Sequence, residues 1–72
     1  MESHIKKLCE EYLEAAETIR KSELMSVMDL IRALEMNYIT LKRIQKDPSR
    51  CSLKTLRKLK KFVDAFNGRQ YE

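Results

Sequence analysis

The stretch Ser26-Val-Met-Asp-Leu-Ile-Arg-Ala-Leu-Glu-Met-Asn-Tyr-Ile-Thr-Leu-Lys-Arg-Ile-Gln-Lys46 decides the fold of this chain. Ser26 offers a side-chain oxygen to cap a helix, and Asp29, three residues on, is the short-armed acid of a capping box. Val27, Leu30, Ile31 and Leu34 then recur on one helical face. The phase breaks at Glu35-Met36-Asn37, where Asn37 is a second good cap. From there to about Lys46 a further helix turns Leu41 and Ile44 inward. The stretch therefore predicts two short helices, within residues 26–46, joined by a three-residue turn.

On the N-terminal side, Ile5, Leu8, Cys9, Tyr12, Ala16 and Ile19 predict an amphipathic helix over about 4–20. Lys6, Glu10, Glu14 and Glu17 fall on its outer side, and Ser3 is its expected cap. Lys21-Ser-Glu-Leu-Met25 reads equally as a loop or as a continuation of that helix. On the C-terminal side, Asp47-Pro48-Ser49-Arg50 ends the third helix, because proline disfavours the helical region for the residue before it. Ser52 caps a fourth helix over about 52–66, with Leu53, Leu56, Leu59, Phe62, Val63 and Phe66 towards the core. Asn67-Gly68 is expected to close it. The fold class expected is all-α, a small four-helix bundle forming one domain over residues 1–72.

Composition agrees, with 43% hydrophobic and 36% charged residues but one Gly and one Pro to interrupt helices. A domain this small buries only about 60% of its unfolded surface, so a second copy would add needed stability. No apolar run approaches the length of a membrane span. The N-terminus meets Glu10 too soon for a secretion signal, and its alternating charges do not suit a transit peptide. The expected location is cytoplasmic and nucleoid-associated. Cys9 and Cys51 lack metal-ligand spacing and read as reduced, buried thiols; adding His4 would give only three scattered ligands, so no metal or cofactor is expected.

Net charge is +4, and its distribution says more. Residues 1–36 hold five Lys/Arg against eight Asp/Glu, whereas residues 37–72 hold ten against three. A basic half joined to an acidic half suits a polyanion-binding surface, although solvated helix faces also diverge in charge by chance. With Leu41 and Ile44 buried, the third helix exposes Tyr38, Ile39, Lys42, Arg43 and Lys46 on one side, with no carboxylate among them. Arg43 can donate two parallel hydrogen bonds to guanine, and Lys42 can reach a base edge or a phosphate. Tyr38 and Ile39 offer apolar surface to a thymine methyl, and Thr40 and Lys46 can reach phosphate oxygens. Arg50 and Lys54, near the start of the fourth helix, are further phosphate-contact candidates. An ordinary solvated face would leave Tyr38 and Ile39 needlessly exposed. The basic fourth helix, with Lys54, Arg57, Lys58, Lys60 and Lys61, also suits an anionic membrane or a calmodulin-type groove. That use would strip Leu41, Ile44 and the first helix of their packing partner.

From Met25 to Phe62 the chain resembles the lambda-repressor-like (Xre-type) helix-turn-helix domain. Met25-Ser26 and Leu30-Ile31 match its opening, Ala33-Leu34-Glu35-Met36-Asn37 fills its turn, and Thr40-Leu41-Lys42-Arg43-Ile44 its recognition helix. Ser52-Leu53-Lys54-Thr55-Leu56-Arg57-Lys58-Leu59 matches the helix that follows. The family's small alanine is Ile31 here, its turn glycine is Glu35, and its polar residue after the cap is Val27. The resemblance implies Tyr38, Ile39, Lys42 and Arg43 as base-facing positions and Thr40 as a phosphate contact.

No enzyme site is expected: His4 is the one histidine, and neither a Gly-rich loop nor a paired Ser/His or Cys/His context is present. The leading expectation is a small sequence-specific double-stranded DNA-binding protein, a transcriptional regulator of phage or mobile-element type. It would act as a homodimer through the first helix or through Phe66 and Tyr71, with no small-molecule substrate. The alternative is a protein-interaction module on the same scaffold, an antitoxin or host-protein inhibitor working through Glu10, Glu11, Glu14 and Glu17.

Overall fold

Three of the four helices begin where a capping side chain stands. In the computed structural model, which describes residues 2–70 and the side chains of residues 4–66, α1 spans Glu2–Ser22, α2 Val27–Leu34, α3 Tyr38–Lys46 and α4 Leu53–Gln70. A 3-10 turn, Pro48–Arg50, links the last two, and no strand occurs among the described residues. The protein is all-α.

Ser26 and Asp29 form the full reciprocal box: Asp29 N–H donates to Ser26 Oγ at 3.1 Å, and Ser26 N–H donates to Asp29 Oδ2 at 3.0 Å. Asn37 Oδ1 accepts from Thr40 N–H at 2.9 Å, and Ser52 Oγ from Thr55 N–H at 3.2 Å. Asp47 ends α3 in extended conformation and caps the 3-10 turn by accepting from Ser49 N–H.

Three boundaries differ from the sequence expectation. Helix α1 begins at Glu2, which puts the expected cap Ser3 inside the helix; its side chain lies outside the described residues. Helix α1 also runs on to Ser22, so the ambiguous Lys21–Met25 segment is its last turn followed by a left-handed exit. Leu24 takes φ 57°, its N–H donates to Lys21 O, and Met25 N–H donates to Arg20 O. This is the Schellman pattern, with leucine where glycine is usual. Helix α4 passes through Asn67-Gly68 to Gln70. Glycine costs only about 1 kcal/mol in a helix interior and no proline follows, so the pair weakens the helix without ending it.

The core joins all four helices. Cys9, Leu34, Leu41, Ile44 and Leu59 are essentially inaccessible to solvent, with Ala16, Ile19, Leu30, Ile31, Leu56, Phe62 and Val63 around them. Helix α1 packs chiefly along α4 and against the 3-10 turn, while α2 and α3 pack on each other, with α2 also meeting α4. Phe62 and Phe66 stack tilted, ring centroids 4.9 Å apart. Val27 and Leu53, expected inside, are exposed at 37% and 51%. Each is the first residue of its helix, where no preceding turn covers the side chain. Glu17, expected outside, is half-buried against Arg20. Cys9 and Cys51 are free, buried thiols, and Cys51 Sγ donates to Ser52 O at 3.5 Å. Among the described residues no helix is long and apolar enough to cross a membrane.

Candidate nucleic-acid interface

Helix α3 is held from below by Leu41 and Ile44 and from its start by the Asn37 cap, which leaves its other side to solvent. Tyr38, Ile39, Lys42, Arg43 and Lys46 all lie on that side and are exposed, Ile39 at 66%. Gln45 is exposed beside them. No acid occurs within α3. Lys42 Nζ stands 5.5 Å from the Tyr38 ring centroid, a cation–π contact one helical turn apart that orders two of the five groups. From α1, Glu17 influences this face: the Arg20 guanidinium holds its carboxyl below the usual range, with Lys21 and Lys42 adding to the effect. Arg20 Nε and Nη2 both donate to that carboxylate, and Arg20 Nη1 donates to Met25 O at 3.0 Å. One arginine thus occupies this acid and bridges to the α1–α2 connection.

The expected phosphate-contact residues do not share one surface. Thr40 is half-buried and turned away from Ile39 and Lys42, into a cleft between α2, α3 and α4 that also takes Lys54. Lys46 stays with the α3 face, in its last turn, where a cation complements the helix dipole. Arg50 is exposed on the 3-10 turn, and its Nε lies 3.6 Å from Asp47 Oδ2. The structure therefore divides the eight candidates into an α3 face (Tyr38, Ile39, Lys42, Arg43, Lys46), a cleft (Thr40, Lys54) and a separate Arg50.

The cleft also contains residues that the sequence reading did not single out as site residues. Arg32 from the end of α2, and Thr55 and Lys58 from α4, line it with Asn37, Thr40 and Lys54. Lys58 Nζ donates to Glu35 O, which closes the end of α2. Glu35 itself takes φ 56° and ψ 43°, with Met36 N–H donating to Ile31 O: the second left-handed exit in the chain made without glycine. The signal for the cleft was absent from any single segment, because its residues meet only when α4 packs beside the α2–α3 connection. Tyr71, expected at a dimer contact, lies outside the described residues.

Comparison with protein-family models, with curated proteins and with solved structures gives no match for this chain.

Proposed function

We propose that this protein is a small, sequence-specific double-stranded DNA-binding protein whose α2–α3 pair works as a helix-turn-helix of the lambda-repressor-like kind. The observation that carries the reading is the acid-free exposed face of α3, where Ile39, Tyr38, Lys42 and Arg43 stand together. A major groove demands that combination: cations among phosphates, a guanidinium for guanine, apolar surface for thymine methyls, and no carboxylate to be repelled. Tyr38, Ile39, Lys42 and Arg43 face bases in this reading, and Gln45 adds an amide suited to adenine. Thr40, Lys46, Arg50 and Lys54 serve phosphates. Helix α3 has nine residues, too few to specify an operator alone, so two copies on paired half-sites complete the proposal. Regulation would be steric: occupancy of a promoter in a phage or mobile-element setting, within the nucleoid. No catalysis is proposed.

A titration of duplex DNA in a mobility-shift assay at low salt tests this reading. Retention that falls with salt at a log–log slope of about −0.9 per phosphate contacted is expected. No retention of random or selected duplex at low salt refutes it. Selection from random-sequence duplexes then reports the preferred site and half-site spacing together.

The second reading, an antitoxin-like or inhibitory interaction module, is favoured by the exposed Glu10, Glu11 and Glu14 of α1 and by the exposed apolar side chains of Leu24, at 92%, and Met28, at 53%. It predicts capture of a basic protein partner and DNA binding no stronger than that of any cationic protein.

A further inference from the structure

We propose that the cleft between α2, α3 and α4 is a binding site for a single phosphate group. The cleft is an open concavity of about 490 Å³ whose lining includes the apolar side chains of Ile31 and Met36. Three cations open into it, Arg32 from α2 and Lys54 and Lys58 from α4, against one carboxylate, Glu35. Neither Arg32 nor Lys54 is in an ion pair among the described residues, and Lys58 is engaged only by a neutral carbonyl, Glu35 O. Three positive charges around one concavity favour an oxyanion there over a neutral or cationic ligand.

The polar lining supplies donors as well as charge. Thr55 Oγ1 accepts from Ser52 Oγ, which leaves its own proton to donate outward. Thr40, half-buried at the same wall, adds a second hydroxyl. Arg32 can meet two oxygens of a phosphate with parallel bonds, whereas the lysines act as point charges. A carboxylate ligand would use one such fork and leave the remaining donors idle; a tetrahedral phosphate, with oxygens in several directions, can use the fork, a lysine and a hydroxyl at once. The phosphate comes either from a nucleic-acid backbone or from a small phosphorylated molecule. In the first case the proposal rests on the DNA-binding reading, with the cleft gripping the strand beside the groove that α3 enters; in the second it stands without it.

The test begins with inorganic phosphate titrated into the labelled full chain, with ionic strength held constant by chloride and amide resonances followed by NMR. Saturable shifts centred on Thr40 and Thr55, absent on adding chloride alone, are expected. Arg32→Gln and Lys54→Gln should each weaken that binding at least fivefold, and Arg32→Lys should weaken it less than Arg32→Gln. Both substituted positions, Arg32 and Lys54, are exposed, and phosphate-specific elevation of the wild-type Tm over chloride gives a readout that needs no variant. Shifts that are linear, or identical for chloride, overturn the site. Two arms then identify the source. A saturable phosphate response together with Arg32→Gln weakening duplex DNA, and lowering its salt slope by about 0.9, supports a backbone phosphate. The same response with duplex affinity unchanged by Arg32→Gln, or with no duplex binding at all, supports a small phosphorylated ligand. Loss of the DNA reading is thus separable from loss of the site.

Discussion

Lys58 Nζ reaches the carbonyl oxygen of Glu35, a residue 23 positions earlier, and so fastens α4 to the connection between α2 and α3. The bond falls at one of the two non-glycine residues in the left-handed region, a conformation costly for a residue with a Cβ. It also sets how α3 leaves α2, and therefore where the α3 face points.

Relief of that backbone cost should be measurable. Glu35→Gly places the residue suited to φ 56° at the end of α2 and should raise stability by about 1 kcal/mol in urea unfolding. Lys58→Met should lower it by about 0.5–1.5 kcal/mol, the usual net worth of one hydrogen bond, and should speed amide exchange at Met36. Unchanged exchange at Met36 in Lys58→Met would show that the turn holds without the lysine.

The start of α2 should be acid-sensitive. The Asp29 carboxyl lies below its ordinary value because it accepts first from the Ser26 backbone N–H and then from the Ser26 side chain. A group whose folded value is depressed contributes stability above the unfolded value, near 3.8, and loses it as pH falls through the lowered one. Ser26→Ala should cost about 1 kcal/mol at neutral pH. Asp29→Asn should be less stable than wild type at neutral pH, and the gap should close on acidification. A gap that stays constant across that range would remove the box from the explanation.

Alkaline behaviour should be set by the buried thiol. Burial, and then the bond and charge of Cys51, push Cys9 from 9.0 up to about 12. Its contribution is therefore complete below about 9 and is lost as pH rises through about 12, because the unfolded chain ionises first. Chemical denaturation across that window should show wild type losing more stability than Cys9→Ala. Parallel curves would assign the loss to the lysines instead. Thiol reagents should label both cysteines slowly at neutral pH, since the thiolate is the reactive form and burial raises Cys51 as well.

The division of the basic residues into a face and a cleft makes a paired prediction. Arg43→Ala should relax base preference on α3, costing about 1–3 kcal/mol against the preferred duplex and little against others. Lys54→Ala should weaken all duplexes alike. Competition between two duplexes of different sequence separates the two outcomes; equal losses for Arg43→Ala on both would place that arginine on the backbone.

Local signals were legible in the sequence and assembled ones were not. Ser26 with Asp29, Asn37 and Ser52 each announced a helix start, because capping needs one side chain and a neighbour three residues away. Leu41 and Ile44 announced the buried side of α3 and, by subtraction, its exposed face. Val27 and Leu53 misled because periodicity ignores the missing turn ahead of a first residue. Asn67-Gly68 misled because a cap signal is weaker than a continuing helix. Arg32 lies on one stretch of sequence and Thr55 and Lys58 on another, and only packing gathers them around Thr40 and Lys54. Leu24 at φ 57° carried no sequence signal, since leucine pays both in backbone and in exposure there.

The uneven charge of the two halves has a consequence in time as well as in contact. Glu10, Glu11 and Glu14 are exposed on α1, whereas Lys42, Arg43, Lys46, Arg50 and Lys54 are exposed on α3, the 3-10 turn and α4, so charge is unevenly spread over a molecule whose net charge is +4. In the DNA-binding reading, uneven charge in the field of a polyanion orients the molecule before it arrives, so encounters are biased towards the basic helices rather than sampled at random. Much of the search for the correct orientation is thereby finished in the approach, and added salt should slow arrival before it hastens departure.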